Sequence, residues 1–296
     1  MFFSPHSHIS RLPGCVVQAE VTSISPTGVQ VHGRKEPIQF DYLVIATGSS
    51  YAFPGKVAET EISRAVDLYE NLREKIGKAH QILIIGGGPV GVELAGEIAT
   101  DFADKEVTLV HNHPVLLQPD TYNEKIYLRT REELEKLRVK IILDDRVELS
   151  NKEHLNYIEG QKTFVTVKSK TKINADLTFI CTGTRINNRS LMNSPFKSKI
   201  NPQTGRLIVN NHLQIDGHEN IFAIGDIADK EDKFAYLAGQ QGEYVAKLIP
   251  LIHQKKTNLK EYQPHLNRAI FLSLGRNNGI GQLPNKSGTV IGRFSS

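Results

Sequence analysis

The stretch "ILIIGGGPVGVELAGEI" (residues 82–98) decides the fold. Four apolar residues run straight into Gly86, Gly88 and Gly91, spaced as G-x-G-x-x-G, and an amphipathic run follows. The spacing predicts a strand over 81–85 and a helix over 89–102, with Val90, Leu94, Ile98 and Phe102 on its apolar face. Each glycine has a physical reason: a tight turn, close approach of backbone to a pyrophosphate, and close packing of helix on strand. The helix start then offers unpaired N–H groups and a positive dipole end to phosphates. Glycine clusters also mark plain turns, so strand, helix and second strand around the loop are what make this a dinucleotide site.

Outward from the loop, the pattern alternates. A strand over 106–110 (EVTLV), a helix over 123–138 and a strand over 139–143 (VKIIL) predict βαβ units and a parallel sheet. The fingerprint's acidic residue is absent from the end of the second strand, which reads Val110-His111-Asn112-His113. His111 is the candidate there, accepting from a ribose hydroxyl when neutral or pairing with a 2′-phosphate when charged. The spacing therefore admits both NADH and NADPH. His111 and His113 lack Cys or carboxylate companions, so no metal site is expected. Glu93 stands apart from the apolar stripe. It suits either a carboxylate near a helix start, worth under about 1 kcal/mol, or a contact to nicotinamide.

Before the loop, strands are expected at 15–21 (CVVQAEV) and 28–32 (GVQVH) around the turn Ser25-Pro26-Thr27-Gly28, as in a β-meander. The run Asp41 to Ala46 suits a strand buried on both faces. Residues 62–77 place Ala65, Leu68, Leu72 and Ile76 at helical spacing. After the loop come short strands over 163–181, strands near 206–215 and 220–224, and a helix over about 235–249 ended by Pro250.

The 296 residues, 39% hydrophobic and 23% charged, suit a globular chain long enough for two domains. A net charge of +4 with no basic run gives no footprint for nucleic acid. Two cysteines, Cys15 and Cys181, form neither a CxxC pair nor a zinc spacing, which fits a reduced, cytosolic setting. No apolar run reaches the roughly 18–20 residues of a membrane span. The opening residues lack a signal-peptide pattern, and Phe2 stands where N-myristoylation needs glycine.

Three further segments flank the loop in order: "DYLVIATGS" (41–49), "LTFICTGTRIN" (177–187) and "NIFAIGDIAD" (220–229). With "FPGK" (53–56), "EVTLVH" (106–111), "AYLAG" (235–239) and "LSLGRNNGIGQ" (272–282), they resemble the two-dinucleotide flavoprotein reductases. The likeness is to the apoptosis-inducing-factor-like, type II NADH dehydrogenase branch, and most closely to the ferroptosis suppressor proteins.

The resemblance implies an α/β fold of two nested Rossmann-like dinucleotide-binding domains, parallel sheets with flanking helices plus a β-meander. A partial FAD-binding segment (1–77), an NAD(P)H domain (78–185) and a second FAD segment with a shortened C-terminal region (186–296) are expected. It implies an FAD enzyme that takes hydride from NAD(P)H and passes electrons to a quinone-type acceptor, in the cytoplasm or at a membrane or lipid droplet. Val16 would meet adenine through its backbone, while Ala46, Thr47 and Gly48 would form a turn against the flavin nucleotide. Asp226, after Gly225, would hold the ribityl or pyrophosphate region, and the segment from Lys233 through Ala235 to Gly239 would face the isoalloxazine. Gly86, Gly87, Gly88, Pro89, Val90, Gly91, Glu93, Thr182 and Gly183 would line the nicotinamide nucleotide.

No conventional catalytic residue is expected, because the cofactors carry the chemistry. The family's first glycine loop has no counterpart in residues 1–14, and the family continues past "VIGRFSS". The flavin domain is therefore expected to be incomplete, and the alternative is an NAD(P)H-binding module or sensor without stable FAD.

Overall fold

A computed structural model describes residues 14–149, 157–265 and 268–292. The opening stretch read as lacking a first glycine loop, and the last four residues, lie outside these, Gly14 excepted. The chain forms two compact units, one of residues 1–50 and 185–265, the other of 51–184 and 266–296.

The second unit is built on a five-stranded sheet. In order across it run Lys140–Ile142, Glu106–Val110, Gln81–Ile85, Lys172–Ile180 and Tyr157–Val165. The first four are parallel and the last is antiparallel. Gln81–Ile85 is central, and its side chains alternate between two cores. Ile82 and Ile84 join a cluster with Leu72, Ile76, Val92, Ala95, Ile98, Ile126 and Leu134. Leu83 and Ile85 join Val110, Val147, Phe164 and Ile173 on the other face. Covering both faces is why the strand reads as an unbroken apolar run.

Helix Ile62–Lys78 buries Ala65, Leu72 and Ile76 as expected, but Leu68 is exposed, because Tyr69 and Leu72 already fill that turn against the core. Helix Pro89–Asp101 likewise turns a different face inward: Gly91, Val92, Ala95, Gly96, Ile98 and Ala99 are buried, while Val90, Leu94 and Phe102 are half-buried. Small residues let this helix lie close to the sheet, which a search for large apolar side chains misses.

The first unit carries the β-meander Val21–Ile24, Gly28–Val31 and Ile38–Gln39. Its first strand starts at Val21, not at 15, because Gly28–Val31 is too short to pair with the earlier residues. Strand Leu43–Ile45 runs parallel to Ile221–Ala223 and, among the described residues, pairs with no other. Val44 is consequently 37% exposed rather than enclosed on both faces. The strand expected over 206–215 is a set of isolated bridges, such as Val209 with Ile215. Helix Ala235–His253 continues through Pro250, since Ile249 and Ile252 hold its last turn on a core of Phe196, Phe222, Val245 and Leu248.

The division at 184/185 falls within one residue of the expected 185/186, while the others fall at 50/51, rather than 77/78, and at 265/266. Residues 51–77 belong with the second unit because Phe53, Leu72 and Ile76 complete its core. So do 268–292. There Ser273 Oγ donates to Glu97 (2.6 Å), and Arg276 makes a bidentate pair with Asp101 at 2.7 and 2.8 Å. Ile270, Leu272 and Ile280 lie beneath them in the same core.

Candidate functional site

In the second unit the sheet register brings three strand ends level: Ile85 pairs with Val110 on one side and with Ile180 on the other. Parallel strands therefore deliver Gly86, His111 and Cys181 to one edge, where ligands of such sheets bind. Gly86 N–H donates to the Val110 carbonyl (2.8 Å) and Cys181 N–H to that of Ile85 (2.7 Å). Gly86 has φ +112. A Cβ on Gly91 would lie 1.9 Å from the Gly86 carbonyl oxygen, so no side chain fits there.

Gly88 differs from both. It caps the helix at φ −72, no side chain caps the first turn, and a Cβ would meet nothing within 4 Å. Pro89 at the first helical position gives up an N–H that has no partner within a helix. An uncapped helix start facing open space fits a pyrophosphate. Thr182 and Gly183 follow the central strand's neighbour and are exposed, and Val90 and Gly87 complete the loop.

His111 does not act as the fingerprint's missing acid. It is buried, Gly87 N–H donates to its Nδ1 (3.1 Å), and its Nε2 lies 3.1 Å from the Leu117 carbonyl. A carbonyl only accepts, so Nε2 carries the proton and Nδ1 is bare. Both nitrogens are thus spent on the glycine loop and its cover, leaving none for a ribose hydroxyl or a 2′-phosphate. Burial also pushes the His111 pKa down, and His113 beside it acts in the same direction.

Below the unfolded histidine value of about 6.5, unfolded chains take up a proton that the folded site refuses. Stability therefore falls with acidification from there toward the lower folded pKa. Urea titrations between about pH 5 and 7 are expected to show a shallower slope for His111→Gln than for the wild type; equal slopes would contradict this arrangement.

Glu93 is half-buried one turn into the same helix. Its Oε1 accepts the Ser273 N–H at 3.2 Å. Burial raises its pKa, the Ser273 bond lowers it, and Glu97 raises it. The carboxylate thus also ties the helix to strand Ile270–Ser273.

In the first unit, strand Leu43–Ile45 leads through Ala46 into Thr47 and Gly48 (φ +63). Asn187 fixes this turn: its Nδ2 donates to the Thr47 carbonyl (2.8 Å), and its Oδ1 accepts from Ser50 (2.7 Å). An open cleft of about 470 Å³ lies beside Thr47, bounded by Val21, Ser50, Arg185, Asn187 and Arg189. The partner strand Ile221–Ala223 ends at Gly225-Asp226, and Asp226 Oδ2 accepts the Ser49 hydroxyl at 2.5 Å. Arg206 Nε donates to the Asp226 carbonyl (3.1 Å) and Nη2 to that of Glu231 (2.7 Å). Parallel pairing thus brings two turns expected to meet one ligand to neighbouring strand ends.

Lys233 is exposed, and Ala235 opens the long helix after Phe234, which provides no side-chain cap. The arrangement of Thr47, Asp226 and a second uncapped helix start fits the flavin end of FAD. Val16 is 51% exposed and lies before the first paired strand, which starts at Val21. A second strand–glycine–helix cradle is not found among the described residues. Sequence reading missed Ser49, Asn187 and Gln241. Of these, Gln241 had a signal, a polar residue on the stripe Leu237, Val245, Leu248.

The family described as pyridine nucleotide-disulphide oxidoreductase matches residues 10–242. Ferroptosis suppressor protein 1 of Taeniopygia guttata is 37% identical over 282 residues, covering 94% of this chain and 73% of that protein. Apoptosis-inducing factor homolog A of Dictyostelium discoideum is 35% identical over 301 residues, covering 96% and 72%. Among solved structures, the ferredoxin reductase for the CYP199A2 system from Rhodopseudomonas palustris superimposes with a TM-score of 0.72 at 16% identity, covering 96% of this chain and 68% of that one. That likeness concerns the fold.

Proposed function

We propose a reaction from one established point: the chain belongs to the pyridine nucleotide-disulphide oxidoreductase family. It is an NAD(P)H-dependent flavin oxidoreductase, with FAD and NAD(P)H as its cofactors. The finer reading is reduction of a quinone-type small molecule, in the cytoplasm at a membrane or lipid-droplet surface where such acceptors dissolve. Among the described residues no helix is long and apolar enough to cross a membrane.

The observation that carries the nucleotide half is the open, uncapped helix start at Gly88. In this reading the first-turn N–H groups take the pyrophosphate, with Gly86, Gly87, Pro89, Val90 and Gly91 shaping the approach. Thr182, Gly183 and Glu93 line the nicotinamide side. In the other unit, Thr47 and Gly48 would hold one part of the flavin nucleotide and Asp226 would accept from its hydroxyls. The uncapped helix start at Ala235, with Lys233 adding positive charge, would favour the negative charge of a reduced flavin. The chemistry supplied by the bound cofactors is hydride transfer from nicotinamide to flavin and electron release to the acceptor.

The acceptor reading rests on the cysteines. Cys181 is largely enclosed, and burial pushes its thiol up to about 12, while Cys15 is exposed elsewhere. A thiol held so firmly protonated is a poor nucleophile, and Cys15 and Cys181 are far apart in sequence, with no CxxC spacing. Neither described cysteine offers a reactive thiol pair, which supports a small acceptor as the electron sink. Anaerobic rapid mixing tests this. NADH-reduced protein is expected to be reoxidised by a soluble short-chain quinone; reoxidation by a disulphide and not by the quinone would contradict it.

A further inference from the structure

Gln241 is a polar side chain in an apolar place. It is 1% exposed, between Leu237 and Val245 on the buried stripe of its helix. Leucine there would keep both helix propensity and packing, so the amide needs a reason. Its Oε1 accepts the Gly225 N–H at 2.7 Å, and its Nε2 donates to Glu231 Oε1 at 2.8 Å. An N–H only donates and a carboxylate only accepts, so the amide has one permitted orientation.

Glu231 is fixed in turn. Its side chain is 4% exposed, the Tyr262 hydroxyl donates to Oε1, and the His265 N–H donates to Oε2 at 3.0 Å. The His265 ring Nδ1 lies 3.8 Å from the same oxygen. Continuous bonds thus run from Glu231 through Gln241 to Gly225, whose neighbour Asp226 accepts from Ser49.

We propose that Gln241, oriented by Glu231, is a positioning residue that sets the Gly225-Asp226 turn for FAD. The inference rests on the reading of that turn as flavin-binding. Loss of the amide leaves a part-buried N–H and a buried carboxylate short of partners, and the turn relaxes away from the geometry that presents Asp226.

The test uses the full chain and three readouts: FAD affinity by titration, flavin midpoint potential, and NADH affinity as a control from the other unit. Gln241→Leu is expected to weaken FAD about tenfold or more with NADH affinity unchanged. Gln241→Glu sets two carboxylates face to face and is expected to do at least as much harm. The exchange Gln241→Glu with Glu231→Gln restores a donor against an acceptor. It is expected to return FAD affinity to within about threefold of wild type, with the potential moved negative because the charge now lies beside the turn.

A Gln241→Leu protein that binds FAD as wild type overturns the inference. So does an exchange variant that is unfolded or still binds as weakly as Gln241→Glu. If Gln241→Leu fails to fold, the exchange variant alone decides. Asp226→Ala in parallel separates the two levels. Full FAD affinity in that variant would sink the flavin reading of the turn itself, whereas its loss alongside an unaffected Gln241→Leu sinks only the role of Gln241.

Discussion

Gly88→Val is expected to weaken NAD(P)H binding about a hundredfold, equivalent to about 2.7 kcal/mol, in a protein that still folds. Gly88 has φ −72 and ψ −179, extended backbone that valine adopts freely, and an added Cβ meets no atom within 4 Å. The fold therefore has no objection to the side chain. Its methyl groups would instead fill the space in front of the uncapped helix start, where a pyrophosphate collects charge-assisted bonds worth about 1.5–3 kcal/mol each. Calorimetric titration with NADH, beside a thermal melt, measures both halves of the expectation. Retained affinity would mean that the loop is a plain turn. Gly91→Ala is the contrasting variant, because its Cβ would meet the Gly86 carbonyl oxygen at 1.9 Å and the loop itself would have to move.

Asp226→Ala is expected to lower FAD affinity about tenfold to a hundredfold and to spare NADH. The carboxylate accepts from Ser49 in this structure, which shows it aimed at the turn from the neighbouring strand end. Removing it also leaves Ser49 without that acceptor, so the effect is larger than one hydrogen bond. The glycine loop belongs to the other unit, with its own core, and has no part in that contact. Parallel titrations with FAD and NADH measure the difference. An equal loss of both affinities would mean general unfolding instead.

How far the sequence revealed these features depended on how local their causes were. The strand, glycine loop and helix of 81–101 were legible because local rules govern them all: an apolar run, a fixed glycine spacing, and an amphipathic stretch. The roles expected of Asp226 and Thr47 came only from their membership of an ordered motif set. His111 was misread because its partners, Gly87 N–H and the Leu117 carbonyl, reach it through a loop whose path no spacing rule gives. The placement of 268–292 was missed for a related reason. Polar side chains on the outer face of a helix, Glu97 and Asp101, hold that segment, and such residues read as solvated. Val16 sits in a run rich in β-branched residues, yet a strand also needs a partner of matching length, and Gly28–Val31 supplies only four residues. Gln241 is the opposite case, since its position on an apolar stripe was visible and its meaning appeared only with Glu231 and Gly225 in place.

The most direct test of the flavin-reductase account is the visible spectrum of the purified chain under anaerobic titration with NADH. The account predicts a yellow protein whose blue absorption band bleaches as NADH is added. A colourless protein that binds NADH at the glycine loop would contradict it and leave a nucleotide-binding module in its place.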